Sequence, residues 1–192
     1  MMKYMNSTKK VFALLAFTFL FSASSLLAQN DYKTVDEVEG LAVGTKVKNF
    51  KAVDQNGKTF DLNKSLKKGP VVVVFYRGQW CPICNRNLSN LQDSLQLISD
   101  AGATMVAISP EKPEDLKVTA EKSGAKFELL HDEGEKISTD FDVLYMPSKP
   151  DAKPIPVPAT YVIDTDGTII WRHFDRNYKN RATSKQILEA LK

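Results

Sequence analysis

Two kinds of apolar pattern alternate along this chain. Val71-Val72-Val73-Val74-Phe75-Tyr76 follows Gly69-Pro70 with no polar alternation, and Met105-Val106-Ala107-Ile108 lies within a similar run, Thr104–Ser109. Unbroken β-branched and aromatic runs of this length predict strands covered on both faces, as in a central parallel sheet. Phe127-Glu128-Leu129-Leu130 predicts a further strand. By contrast, Cys84, Leu88, Leu91, Leu95 and Ile98 are spaced four, three, four and three residues apart, which predicts one helix ending at Asp100-Ala101-Gly102. Pro113 opens a second helix that Gly124 stops, a short one covers 135–141, and an amphipathic helix spans 184–191.

The intervening segments carry turn chemistry. Val47–Val53 and Thr59–Leu62 flank Gln55-Asn56-Gly57-Lys58, and Thr160–Ile163 and Thr168–Trp171 flank Asp166-Gly167. Both predict hairpins. Pro147, Pro150, Pro154, Pro156 and Pro158 crowd residues 146–158, which therefore reads as a surface excursion. The order of elements predicts an α/β fold: a central mixed sheet flanked by helices, with an N-terminal β-hairpin. Ligands of such sheets sit beyond the carboxyl ends of strands. Cys81 and Cys84 fall there, between the Val71–Tyr76 strand and the helix it feeds.

The first 28 residues stand apart. Lys3, Lys9 and Lys10 precede an apolar run from Val11 to Phe21, and small residues lead to Ala28. This is the layout of a secretory signal peptide, cleaved after Ala28. The run is short for a membrane span of about 20 residues, so no anchor is expected after cleavage. The expected organisation is a signal peptide at 1–28, a polar lead-in at 29–45 and one domain at 46–192, exported to a periplasm or secreted. The 26 Lys and Arg, less the three of the leader, balance the 23 Asp and Glu. A balanced surface gives no electrostatic case for nucleic acid as a partner.

Cys81 and Cys84 are the two cysteines of the chain. As a structural staple the pair is weak, because closing a loop of about four residues is worth roughly 2 kcal/mol, against nearly 5 for a long loop. Reactivity explains it better. A cysteine at a helix N-terminus meets unpaired N–H groups and the positive end of the dipole, both of which favour thiolate. Arg77 is the candidate cation beside it. The second sulfur can resolve a mixed disulfide or a sulfenic acid formed on the first. The rival reading is zinc, for which Cys81, Cys84, His131 and His173 would make one four-coordinate set; the histidines lack paired ligand spacing.

The segment Phe75-Tyr76-Arg77-Gly78-Gln79-Trp80-Cys81-Pro82-Ile83-Cys84 resembles the active-site segment of exported peroxiredoxin-like proteins of the alkyl hydroperoxide reductase/thiol-specific antioxidant (AhpC/TSA) family. Val157-Pro158-Ala159-Thr160-Tyr161-Val162-Ile163-Asp164-Thr165-Asp166-Gly167 resembles the family's later strand and hairpin. The resemblance runs from about Val43 to Leu191 and implies a thioredoxin-like fold and thiol-dependent redox chemistry without a bound cofactor. It implies a redox-active Cys81–Cys84 disulfide, supported by Arg77, Trp80, Pro158 and Thr160. Two departures stand out. If Cys84 is matched to the family's peroxidatic cysteine, the threonine three residues earlier is replaced by Cys81 and the proline seven earlier by Arg77. The arginine of the later strand is replaced by Pro158, which instead resembles the cis-proline that faces a thioredoxin disulfide.

Three functions follow as expectations. In a peroxidase, Cys84 attacks peroxide and Cys81 resolves the sulfenic acid. In a protein disulfide oxidoreductase, Cys81 attacks a substrate disulfide and Cys84 resolves. The third is a non-enzymatic metal-binding or scaffold module. The first two require an external thiol reductant, thioredoxin-like or delivered from a membrane.

Overall fold

The computed structural model describes residues 32–192. The leader lies outside them. Among the described residues, seven strands form one sheet in the order β2-β1-β5-β4-β3-β8-β9. They are β1 (Lys51–Asp54), β2 (Thr59–Asp61), β3 (Val71–Phe75), β4 (Thr104–Ser109), β5 (Glu128–His131), β8 (Ala159–Ile163) and β9 (Ile169–Phe174). Strands β3, β4 and β5 run parallel, and the two hairpins join antiparallel at either side. The sheet is therefore mixed and carries the predicted N-terminal hairpin. Asp54 closes that hairpin, its Oδ1 accepting the N–H groups of Asn56 and Lys58 at 2.8 Å each.

Strand β3 divides the core. Val72 and Val74 enter one apolar cluster, whereas Val71, Val73 and Phe75 enter the other. The first lies under α2 (Pro82–Gln92), α3 (Leu95–Asp100), α4 (Pro113–Ser123) and α6 (Ser184–Ala190), through Leu88, Leu91, Ile98, Leu116 and Ile187. The second lies under α1 (Leu62–Leu66) and α5 (Lys136–Asp140), through Leu62, Leu66, Ile137 and the following Phe141. Alternate side chains thus fill opposite cores, which is why the run needed no polar position. Both cysteines belong to the first cluster.

Several details differ from the sequence reading. The long helix is two, because Asp93 and Ser94 interrupt it; Ser94 leaves helical geometry at φ −106°, ψ 5°. Short polar side chains compete with the helical backbone and favour such breaks. The stripe survives the break, since Ile98 is buried and Leu95 packs beside it. Helix α1 was not expected; Asp61 caps it by accepting the Lys64 N–H. The proline-rich stretch is exposed only in part. Its end, Ile155–Pro156 (β7), pairs with Leu144–Tyr145 (β6) in a small ribbon, and Ile155 to Thr160 are all buried.

The lead-in is also more than a tether. Val38 is wholly buried. Arg172 donates from one nitrogen to the carbonyls of Glu39, Gly40 and Leu41 at 2.8–3.0 Å, and Arg176 donates to those of Val35 and Val38. The fold therefore extends across part of the segment read as a lead-in.

Candidate active site

The chain leaves β3 at the carboxyl end of the sheet and turns through Arg77-Gly78-Gln79-Trp80 into α2. The Cys81 N–H donates to the Gly78 carbonyl at 3.0 Å, closing the turn. Gly78 has φ +144°, a backbone region nearly confined to glycine. A Cβ there would stand 2.6 Å from the Trp80 indole nitrogen and 3.0 Å from a Glu111 carboxylate oxygen.

Cys81 is the N-cap of α2, and Pro82 occupies the first turn, where its missing N–H costs nothing. The Cys81 sulfur takes the role an aspartate or serine oxygen would, accepting the Cys84 N–H at 3.4 Å. Both cysteines are free thiols, and both are buried, Cys81 at 3% exposure and Cys84 at 0%.

Their acidities are split. Cys81 is lowered to about 6, first by the hydrogen bond from the Cys84 thiol, then by the Cys84 backbone N–H and the charges of Arg77 and Arg181; burial opposes this. Cys84 is pushed far up, because its thiol donates to Cys81 and because it is buried; Arg181 opposes. One sulfur is thus a thiolate at neutral pH while the other holds a proton to donate. The pair titrates as a unit rather than as two separate thiols.

Arg77 is where the sequence reading placed a cation, but its charge is held in an unforeseen way. The guanidinium lies 4.7 Å from the ring centres of both Trp80 and Tyr178. Stacking of this kind fixes a guanidinium without consuming its charge. Burial pushes the Tyr145 hydroxyl up, and the Arg77 charge opposes that. Trp80 and Tyr178 are exposed, at 52% and 39%, and both lie against Arg77.

The second cation was missed. Arg181 precedes α6, donates from Nε to the Tyr178 carbonyl at 2.6 Å, and brings Nη2 to 3.5 Å from the Cys84 sulfur. Nothing local in Asn180-Arg181-Ala182 signals this; only the fold does, setting the segment before α6 against α2 through the Asn87 amide on the Ala182 carbonyl.

Thr160 sits in β8, paired with Val74 and His173. Extending the β3–β8 register by two residues sets Pro158 level with Tyr76, at the sheet end where the cysteine turn begins. The expected cis bond is not found: no peptide bond among the described residues is cis, so Val157–Pro158 is trans. The ribbon explains this. The Val157 N–H donates to the Val143 carbonyl at 2.7 Å, so the chain enters β8 already extended, as a pre-proline residue prefers.

The zinc reading gains no support. No group of three or more His, Cys, Asp or Glu residues that could hold a metal ion occurs among the described residues. His131 directs Nδ1 to the Glu111 carbonyl at 2.7 Å, and His173 lies in β9.

A reactive cysteine pair at the strand-to-helix corner of a thioredoxin-like sheet defines the class of thiol-dependent oxidoreductases. Residues 43–172 match the AhpC/TSA family, and the chain belongs to it. It is 38% identical over 120 residues to the chloroplastic peroxiredoxin Q of Populus jackii, a match covering 62% of this chain and 54% of that one. The Sedum lineare peroxiredoxin Q is 32% identical over 145 residues, covering 74% and 75%. The chain thus spans about half the length of the first relative and three quarters of the second. The thiol-disulfide oxidoreductase ResA of Bacillus thuringiensis subsp. konkukian is 23% identical over 98% of both chains. Among solved structures, peroxidoxin BcpB of Mycobacterium tuberculosis superposes with a TM-score of 0.69 at 25% identity, covering 79% of this chain and 96% of that one.

Proposed function

We propose that this protein reduces peroxides through a Cys81/Cys84 dithiol–disulfide cycle, with Cys81 attacking and Cys84 resolving. The observation that carries the reading is the Cys81 sulfur at the head of α2, made acidic by the Cys84 thiol and amide while Cys84 keeps its proton. This reverses the order that matching Cys84 to the family's peroxidatic position implies.

In the first step the Cys81 thiolate attacks one peroxide oxygen. An S–O bond forms, the O–O bond breaks, and the leaving alkoxide takes up a proton. In the second, Cys84 gives up its proton and attacks the Cys81 sulfenic sulfur, forming the disulfide and releasing water. An external dithiol then attacks Cys81, expels Cys84 as thiolate, and leaves oxidised as its own disulfide. Arg181, in contact with the Cys84 sulfur, stabilises the expelled charge. A small oxidant suits sulfurs so little exposed.

Exchange with protein disulfides is the second reading. It is favoured by the exposed Trp80 and Tyr178 beside Cys81, which offer apolar area to a partner chain. Treating Cys81→Ser and Cys84→Ser with hydrogen peroxide, then with a disulfide-bonded protein, and weighing the adducts separates the readings. The first predicts a sulfenic acid on Cys81 in Cys84→Ser and fast peroxide consumption by the intact pair. Mixed disulfides with negligible peroxide reactivity would establish the second, and a sulfenic acid confined to Cys84 would overturn the assignment of the attacking sulfur.

The basic, apolar and small-residue succession of residues 1–28 supports export, with a mature N-terminus near Gln29. The intact mass of the protein recovered from outside the cytoplasm tests this. A product retaining residues 1–28 would rule it out.

A further inference from the structure

The carboxyl ends of β3 and β4 lie side by side, and just beyond β4 stands a half-buried acid that the cycle above does not use. Glu111 follows β4 by two residues. One of its carboxylate oxygens accepts the Gln79 N–H in a short hydrogen bond. The other accepts the Thr119 hydroxyl of α4 at 2.9 Å. Its own N–H donates to the Ser109 hydroxyl at 3.3 Å, and its carbonyl meets His131 at 2.7 Å. The residue is therefore pinned at four atoms.

Gln79 is the middle of the turn that presents Cys81. Its carbonyl accepts from Asn85 of α2 at 2.8 Å and from Lys122 at 3.4 Å, and Lys122 also bonds its side-chain oxygen. With the Cys81 N–H on the Gly78 carbonyl, that carbonyl and both backbone groups of Gln79 have protein partners. The glycine is part of the same device, since a Cβ at Gly78 would press on the Glu111 carboxylate.

We propose that Glu111 is a positioning residue for Cys81: its carboxylate, fixed to α4, holds the Gln79 amide and thereby sets the sulfur over the first-turn N–H groups of α2. The inference rests on Cys81 being the attacking thiolate. The groups facing Glu111 are Tyr76 just past β3, Asp115 and Thr119 from α4, and Lys122 through Gln79. Those facing Cys81 are Cys84, Arg77 and Arg181. Glu111 is not among the groups that shift Cys81 directly, so it acts through the turn.

The test is the pH profile of iodoacetamide alkylation at Cys81 in the reduced protein, read by mass. Glu111→Ala should move the midpoint up by about one pH unit, a tenfold loss of thiolate on the acid side. Glu111→Gln keeps an acceptor for the Gln79 N–H and should recover most of the shift. Glu111→Ala that folds, by circular dichroism and melting, yet keeps the native midpoint overturns the inference. If Glu111→Ala does not fold, Thr119→Val decides, because it frees the carboxylate from α4. A shift of threefold or more in thiolate supports the proposal and an unmoved midpoint overturns it. A native Cys81 that titrates near 9 would instead remove the functional reading itself, so the two failures are distinguishable.

Discussion

The guanidinium of Arg181 meets the sulfur of Cys84 across 97 residues of sequence, at 3.5 Å. That contact addresses a difficulty the pair creates for itself. Burial and donation to Cys81 both hold Cys84 protonated, yet in the proposed cycle reductive opening of the disulfide ejects Cys84 as a charged sulfur inside the core. A fixed cation there favours the leaving thiolate.

Arg181→Gln should therefore slow reduction of the Cys81–Cys84 disulfide more than its formation. A hydrogen bond to a charged group is worth roughly 1.5–3 kcal/mol, so the loss should be about tenfold or more. Stopped-flow reduction by dithiothreitol, compared with single-turnover oxidation by peroxide, measures the asymmetry. Equal slowing of both halves would contradict it.

The split acidities make the stability of the reduced protein pH-dependent with a defined sign. Cys81 titrates at about 6 when folded and near 9 when unfolded, so the unfolded chain binds more protons between these values and stability rises with pH across that window. Cys84 is shifted the other way. Above about 9 the unfolded chain loses a proton the folded one keeps, and stability falls. Urea midpoints of the reduced protein should thus peak near pH 9, whereas the oxidised protein, with no thiols, should lack the feature.

Gly78→Ala should damage the site before it damages the fold. A side chain at φ +144° costs about 1–3 kcal/mol and pushes on Trp80 and Glu111. We expect a melting temperature several degrees lower and a raised alkylation midpoint for Cys81. An alanine variant with both values unchanged would show that the turn has another low-energy form.

Arg172→Ala should release the 39–41 segment from β9. Two half-buried carbonyls and one exposed one lose a shared charged donor, a loss of roughly 1.5–3 kcal/mol. Limited proteolysis near residue 40 should accelerate while Cys81 alkylation stays as it was, since none of these groups touches the cysteine turn.

What was legible in the sequence was whatever a local period or a turn residue encodes. Val71–Phe75 and Thr104–Ser109 form strands, Pro82 and Pro113 open helices, Gly124 ends α4 in left-handed geometry, and the pair Cys81 and Cys84 lies at the corner expected of it. Arg181, Glu111 and Arg172 were illegible for one reason: each works on a partner distant in sequence, and an isolated arginine or glutamate in a polar segment reads as solvated surface. The cis bond expected at Pro158 came from the resemblance to a thioredoxin loop and not from the residues themselves, and the β6–β7 ribbon was missed because prolines argue against strand pairing only where an N–H is needed. Pro156 sits in a two-stranded ribbon, opposite Leu144.

Cys81 and Cys84 share a single helical turn, with the amide of one already resting on the sulfur of the other. Cys81 caps the helix on which Cys84 lies, so in the proposed cycle the disulfide joins neighbours at the head of one element. A centre whose two sulfurs lie on distant segments has to bring those segments together, and such motions draw on the less stable parts of a fold. In the cycle proposed for this protein the two sulfurs are neighbours at the head of α2, so its turnover makes no such demand on the rest of the chain.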